Sequence, residues 1–129
     1  MRKKLLYTAG FITICFAMLH LSFWSMLNWE LELATLNSDN RGILQMLNVG
    51  SIYMLLFFAL ISFHLAPKKE LSFTEKASIV FIAGYYVLRI AFGIPFFTMS
   101  VEELVIWIFC LVVAACYLFS LKQQKKLAG

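Results

Sequence analysis

The chain has 129 residues, of which 62% are hydrophobic and 14% charged, and its formal net charge is +4. Soluble domains are about 45–50% apolar and about 25% charged, so a chain this short has too few polar residues to cover a water-soluble surface. The composition therefore excludes an ordinary soluble domain and predicts one membrane domain over residues 1–129. The lysines stand in short blocks at the ends of apolar runs, which argues for membrane lipids and against nucleic acid as partners.

Four apolar runs are long enough to cross a bilayer, which takes about 20 residues. They cover residues 5–27, 43–65, 77–97 and 104–121. The first run follows a basic triplet, as in a signal peptide, but it is too long and no small-residue cleavage site follows, so we expect a retained span. Because the connections are short, neighbouring spans should be antiparallel, and the predicted fold is all-α, an antiparallel bundle of four transmembrane helices.

The positive charges indicate the orientation of these spans. Lysine and arginine total 11, and with four crossings Arg41 falls on one side while Arg89 lies within the third span. The remaining nine all fall on the side of the two termini: Arg2, Lys3, Lys4, Lys68, Lys69, Lys76, Lys122, Lys125 and Lys126. We therefore expect a multi-pass protein of the bacterial inner (plasma) membrane with both termini in the cytoplasm.

The connections carry helix-start signals. Ser72-x-x-Glu75 and Ser100-x-x-Glu103 fit the capping-box pattern and should open the third and fourth spans. The longest connection, residues 28–42, contains Trp29 and regularly placed leucines, which indicates a short helix lying on the membrane surface.

Polar side chains within the spans recur at helical spacing, so each predicted helix has one polar and aromatic face that should turn toward the bundle interior. At a rise of about 1.5 Å per residue, Asn48, His20 and Arg89 lie about 7–12 Å below the outer end of their spans. The inner half is expected to be closed by Phe, Leu and Ile. This pattern predicts an outward-facing pocket rather than a through-pore. The predicted ligand-binding residues are His20, Trp24, Asn48, Tyr85, Arg89 and Glu103.

Arg89 most needs a partner, because a charged side chain at the centre of a span costs about 3 kcal/mol. Glu102 or Glu103, which follows after a short loop, is the natural one. Two interpretations stay open for Arg89: a structural ion pair that locks the third and fourth spans together, or a ligand-binding role toward an anionic or carbonyl group. For His20 they are an interhelical hydrogen bond or general acid–base chemistry, since histidine titrates near neutral pH.

No metal site and no cofactor is predicted. The three cysteines lie singly within apolar runs, and His64 is about 20 Å of membrane depth away from His20. Gly50, Gly84 and Gly93 are expected to permit close approach of helices. The segment from Gly93 to Pro95 should bend or end the third span beside the pocket.

The segments HLSFWSMLNWE, NRGILQMLNVGSIYML and YYVLRIAFGIPFF, on four spans with both termini inside, look like motifs of a small bacterial membrane family. Over nearly the whole chain the plan resembles the DoxX-like four-helix membrane proteins. The polar-lined pocket is similar in idea to that of sterol-isomerase and sigma-2-type membrane proteins, although the isomerases have one more span. The resemblance implies a four-helix fold and carries over no catalytic residue.

Three functions fit this pattern. The first is a bundle that binds a lipid-like or small amphipathic ligand, or that associates with a membrane partner protein or with further copies of itself. The second is a membrane enzyme acting on a lipid-like substrate with His20 or Glu103 as acid or base. The third is an oligomeric transporter or channel, which would need several copies to surround a path.

Overall fold

The computed structural model describes residues 1–97 and 99–125. Within those residues the chain is all-helical, as predicted, and four of its five α-helices are long and apolar enough to cross a membrane. The elements are α1 (Arg2–Met26), α2 (Trp29–Glu32), a 3-10 turn (Leu33–Thr35), α3 (Ser38–Leu65), α4 (Phe73–Phe96) and α5 (Val101–Lys125).

Helix α1 has two close neighbours in the bundle. It packs against both α3 and α5, and α4 packs against α5. Helices α3 and α4 are consecutive in the chain but do not pack as closely as these pairs. They contact each other through side chains such as Phe58 and Tyr85, whose ring centroids are 5.2 Å apart. We call the end that holds Arg2, Leu65 and Phe73 the terminal end, and the opposite end the distal end.

The ends of the helices follow local sequence signals. The Ser72–Glu75 capping box is present, since each side chain bonds to the other residue's backbone N–H. At the start of α3 the Asn37 side chain accepts a hydrogen bond from the backbone N–H of Asn40 at 2.8 Å. Helix α4 ends at Phe96, one residue after Pro95, in agreement with the predicted stop.

The connection between α1 and α3 is mostly helical. Asn28 adopts a left-handed conformation with φ of 50°, which turns the chain sharply out of α1 and into α2. The following turn buries Leu33, and the Trp29 ring packs against Phe23 and Trp24. The structure thus contains the short helix predicted here.

The interior is built from large side chains on all four long helices. Leu6, Phe58, Ile82 and Val113 are almost fully buried, whereas the outside of the bundle carries many exposed apolar residues, among them Phe11, which is 62% exposed. An apolar surface of this extent is unstable in water but suits contact with lipid chains.

The terminal half of the interior differs from the sequence expectation. Two hydroxyl pairs link helices there and at mid-depth: Thr13 with Tyr86 at 2.7 Å, and Ser62 with Tyr117 at 2.6 Å. The threonine and serine hydroxyls also bond to backbone carbonyls of their own helices, so the polar groups are satisfied without water. The inner half is therefore not closed by Phe, Leu and Ile alone, because tyrosines serve as large core residues once their hydroxyls are paired.

The glycine prediction holds at one position and fails at two. A side chain at Gly93 would come within 2.8 Å of Arg89 Nη1, so this glycine does permit close packing. Within the described residues nothing lies within 4 Å of the corresponding point at Gly50 or Gly84, so the expectation for these two was wrong. Gly10, which the sequence did not single out, would instead meet the Phe63 ring at 2.7 Å.

Candidate functional site

An ion pair between α4 and α5 forms the centre of the site at the distal end. Arg89 Nη1 lies 2.9 Å from Glu103 Oε1, which confirms the partner predicted for the arginine. The same oxygen accepts a hydrogen bond from Trp107 Nε1 at 2.7 Å. Gly93 faces this group, and its missing side chain leaves the space that Arg89, Glu103 and Trp107 occupy.

Glu103 departs from the capping-box pattern that its sequence position fits. Its backbone N–H donates to Ser100 Oγ at 3.2 Å, which is the expected half of the motif. Its carboxylate turns instead toward Trp107, four residues further along the helix, and toward Arg89. Because the residue is only 7% exposed, this charge-assisted network replaces the water that an N-terminal glutamate usually keeps.

Arg89 keeps unused hydrogen-bonding capacity. Its Nη1 atom is shielded from solvent, and its N–H bonds are not directed at a described acceptor well enough for a hydrogen bond, despite the ion-pair distance to Glu103. The charge is therefore balanced, while the N–H bonds of Nη1 are not aligned with any acceptor of the described residues. The guanidinium also stacks over the Phe97 ring, 4.8 Å from its centroid.

His20 and Asn48 form a reciprocal pair between α1 and α3. Asn48 Nδ2 donates to the backbone carbonyl of His20 at 3.1 Å, and its Oδ1 lies 2.8 Å from His20 Nδ1. A carbonyl only accepts, so the first bond fixes the amide orientation, and Oδ1 must then accept from a protonated Nδ1. In the neutral imidazole the lone pair is therefore on Nε2.

A small cavity joins these groups in the interior. Its volume is about 40 Å³, and all four long helices contribute to its lining. This volume holds a few water molecules but is far below the roughly 300–1,000 Å³ of a pocket for a drug-sized ligand. The lining residues are Phe16, Leu19, His20, Phe23, Leu55, Tyr85, Tyr86, Arg89, Ile106 and Cys110.

Five of the six predicted site residues belong to this cluster. His20, Tyr85 and Arg89 line one common cavity. Asn48 contacts His20, and Glu103 contacts Arg89, from outside the cavity lining. Trp24 lies elsewhere: it is 52% exposed and its ring packs against Trp29. The periodicity placed it on the His20 face, but it lies one turn closer to the distal end, where α2 offers the nearer partner.

Sequence reasoning did not assign Phe16, Cys110 or Phe97 to the site. Phe16 lies four residues before His20, and Cys110 lies seven residues after Glu103. Residues at these spacings share a helix face, so the sequence could have placed both at the site. The fourth-span face itself is buried as the spacing predicts; its members are Glu103, Trp107, Cys110, Ala114 and Tyr117. The position of Phe97 over Arg89 depends on the chain path after α4, which the sequence does not give.

We expect Asn48→Ala to lower the free energy of unfolding by about 1 kcal/mol, because His20 Nδ1 and the His20 carbonyl both lose a partner; single interhelical bonds in membrane proteins average about 0.6 kcal/mol. Unfolding in mixed detergent micelles measures this change. Asn40→Ala, at an exposed position on the same helix, is the control and should be neutral. Equal effects of the two substitutions would show that the pair contributes no stability.

Comparison of the chain with protein-family models, with curated proteins and with solved structures finds no match. What the site can do therefore follows from its own side chains. It offers a guanidinium with an unused donor, an imidazole and a phenol around a small volume. These groups suit a small hydrogen-bond acceptor, such as a carbonyl or carboxylate oxygen.

Proposed function

We propose that this membrane protein binds the polar end of a lipid-like amphiphile in the distal cavity, with Arg89 as the main hydrogen-bond donor. The observation that carries the proposal is the Nη1 atom of Arg89, which is shielded from solvent and has no directed acceptor among the described residues, while the arginine side chain lines the cavity. A carbonyl or carboxylate oxygen in that cavity supplies the missing partner. His20 and Tyr85 line the same volume and orient the bound group.

An apolar groove beside the cavity supports an amphiphile rather than a small polar solute. The groove runs between α1 and α5 and has a volume of about 610 Å³. Phe16, Leu19 and Ile106 line both the groove and the cavity, so the two are separated by a single layer of side chains. We propose that the ligand's hydrocarbon tail lies in the groove while its polar end reaches past this layer to Arg89.

The orientation belongs to the same proposal. The terminal end lies in the cytoplasm, because the positive charges are concentrated there, and the distal cavity then opens toward the outer leaflet of a bacterial inner membrane. The same proposal includes an architecture of the DoxX-like type and contacts of the exposed helices with a second copy of the chain or with a partner protein.

A second candidate function, a membrane enzyme, is favoured by one observation. The His20–Asn48 pair leaves His20 Nε2 as the free basic nitrogen of an imidazole that lines the cavity. Glu103 is less suited to proton transfer than predicted, because Arg89 and Trp107 hold its carboxylate. If the protein turns over lipids, incubation with a mixed phospholipid and quinone extract yields a product that His20→Gln abolishes.

Trp107 provides a direct probe of the distal cavity. The chain has 3 tryptophans, so the variant Trp24→Phe/Trp29→Phe leaves Trp107 as the only one. We expect a saturable change in Trp107 fluorescence when this protein in micelles is titrated with oleic acid. Titration with 1-octadecene, which has a similar tail and no oxygen, should produce no such change.

The matched variants assign this change to Arg89. Arg89→Gln/Glu103→Gln removes both charges without leaving one buried alone, and we expect it to weaken oleic acid binding at least tenfold, since a hydrogen bond to a charged group is worth about 1.5–3 kcal/mol. Arg41→Gln removes a cation at the same end, outside the cavity, and should bind as before. Binding that the double variant retains, or that octadecene reproduces, would contradict the proposal.

A further inference from the structure

A basic recess lies at the terminal end of the bundle, at the opposite end from the cavity described above. It is formed by the first residues of α1, by the connection between α3 and α4, and by the first turn of α4. Its volume is about 660 Å³. The lining residues are Met1, Arg2, Lys3, Ala66, Pro67, Lys68, Lys69, Glu70, Leu71 and Lys76.

The recess carries a strong excess of positive charge. Five of the lining residues are cationic, and Glu70 is the one acidic residue among them. Glu75 forms an ion pair with Lys68 and so neutralises one of the five. Among the described residues, Lys3, Lys69 and Lys76 have no carboxylate within ion-pair distance. Five cations against Glu70 and Glu75 therefore leave the recess with an excess of positive charge.

The cations are held together by the fold. Arg2 is only 7% exposed, and its Nη1 donates to the backbone carbonyl of Lys69 at 3.0 Å. This bond ties the start of α1 to the loop between α3 and α4. Leu71, which is 5% exposed, anchors the same loop in the core. Lys3 and Lys69 are thus brought to one site from positions far apart in the sequence.

The position of the recess favours a lipid as its ligand. It lies where α1 and α4 begin and α3 ends, which is the level of the head groups when the apolar helices cross the bilayer. Phe73, which is 86% exposed at the start of α4, directs a large apolar side chain outward at the same level. A molecule with a phosphate and an acyl chain can contact both features at once, whereas free phosphate meets only the cations.

We propose that this recess binds the phosphate head group of an anionic membrane lipid. Lys3, Lys69 and Lys76 contact the phosphate, and Arg2 keeps the loop in place. Basic pockets at the ends of transmembrane helices are suited to such head groups because each nearby cation attracts the anionic lipid. The site is separate from the distal cavity and does not depend on the function proposed for it.

Two pairs of lysines give a matched test. Lys3→Gln/Lys69→Gln removes two cations of the recess, and Lys4→Gln/Lys122→Gln removes two exposed cations from the same end outside it. The purified proteins are titrated in detergent with dioleoyl phosphatidylglycerol or dioleoyl phosphatidylcholine, and bound lipid is counted by native mass spectrometry. Circular dichroism checks that all variants keep their helical content.

We expect the original protein to retain phosphatidylglycerol over phosphatidylcholine, and the recess pair to bind phosphatidylglycerol about 25-fold more weakly, which is about 2 kcal/mol at 1.4 kcal/mol per tenfold change. The control pair should change binding less than about threefold. Equal losses in both pairs would show diffuse attraction to the whole surface and overturn the site. Displacement of the lipid by millimolar glycerol 3-phosphate would overturn the assignment to a lipid in favour of a soluble phosphate.

Discussion

Replacing Glu103 by leucine is expected to lower the free energy of unfolding by about 3 kcal/mol, since removing one partner of a buried ion pair leaves the other charge uncompensated. Here the remaining charge is Arg89, which sits below the distal end of α4 among apolar side chains. The same substitution also removes the acceptor of the Trp107 indole N–H. Unfolding in mixed micelles, followed by circular dichroism, measures the loss.

The double variant Arg89→Leu/Glu103→Leu distinguishes a stabilising pair from a pair that merely avoids a penalty. Replacing both partners of a buried ion pair with apolar residues is often neutral or stabilising. We therefore expect the double variant to regain most of the stability that Glu103→Leu loses, while it binds oleic acid at least tenfold more weakly than the original protein does. A double variant as unstable as the single one would show that the charges themselves stabilise the fold.

Gly93→Ala is expected to disturb the site although it adds only a single carbon atom. Its Cβ would lie 2.8 Å from Arg89 Nη1 and 2.9 Å from Trp107 Nε1, so the ion pair and the indole must both move. Overpacking of this kind costs about 1–3 kcal/mol. Unfolding in micelles gives the energy, and a shift in Trp107 fluorescence locates the change at the site.

Gly84→Ala is the matched control, because it makes the same change on the same helix where nothing described lies within 4 Å. Alanine is a better helix former than glycine by about 0.5–1 kcal/mol, so this variant should be slightly more stable than the original protein. If the two variants lose similar stability, backbone effects rather than contacts with Arg89 and Trp107 would explain the result.

The four long helices were predictable because the bilayer imposes a strong rule on length and hydropathy. The face of α5 that begins at Glu103 and reaches Tyr117 was predictable too, since a helix surrounded by others buries one continuous stripe. Trp24 was not predictable in this way, because it shares the face of His20 but is 52% exposed. A periodic face says which side chains are aligned, but it does not say where along the helix the neighbouring helices stop.

The choice of partners within the site was only partly predictable. Arg89 and Glu103 lie on either side of a short loop, so the chain had little freedom to separate them. His20 and Asn48 belong to helices joined by the longest connection, and their direct pairing depends on the depth at which α1 and α3 meet. The hydroxyl pair of Thr13 and Tyr86 likewise depends on the order of helices around the bundle.

The ion pair between α4 and α5 also bears on how the chain enters the bilayer. Alone, α4 would carry an uncompensated guanidinium into hydrocarbon, and α5 would carry a carboxylate. Joined by the short connection between Phe96 and Val101, the two charges meet inside one helical hairpin and cancel. We therefore expect α4 to enter the bilayer more readily together with α5, as one hairpin, than alone.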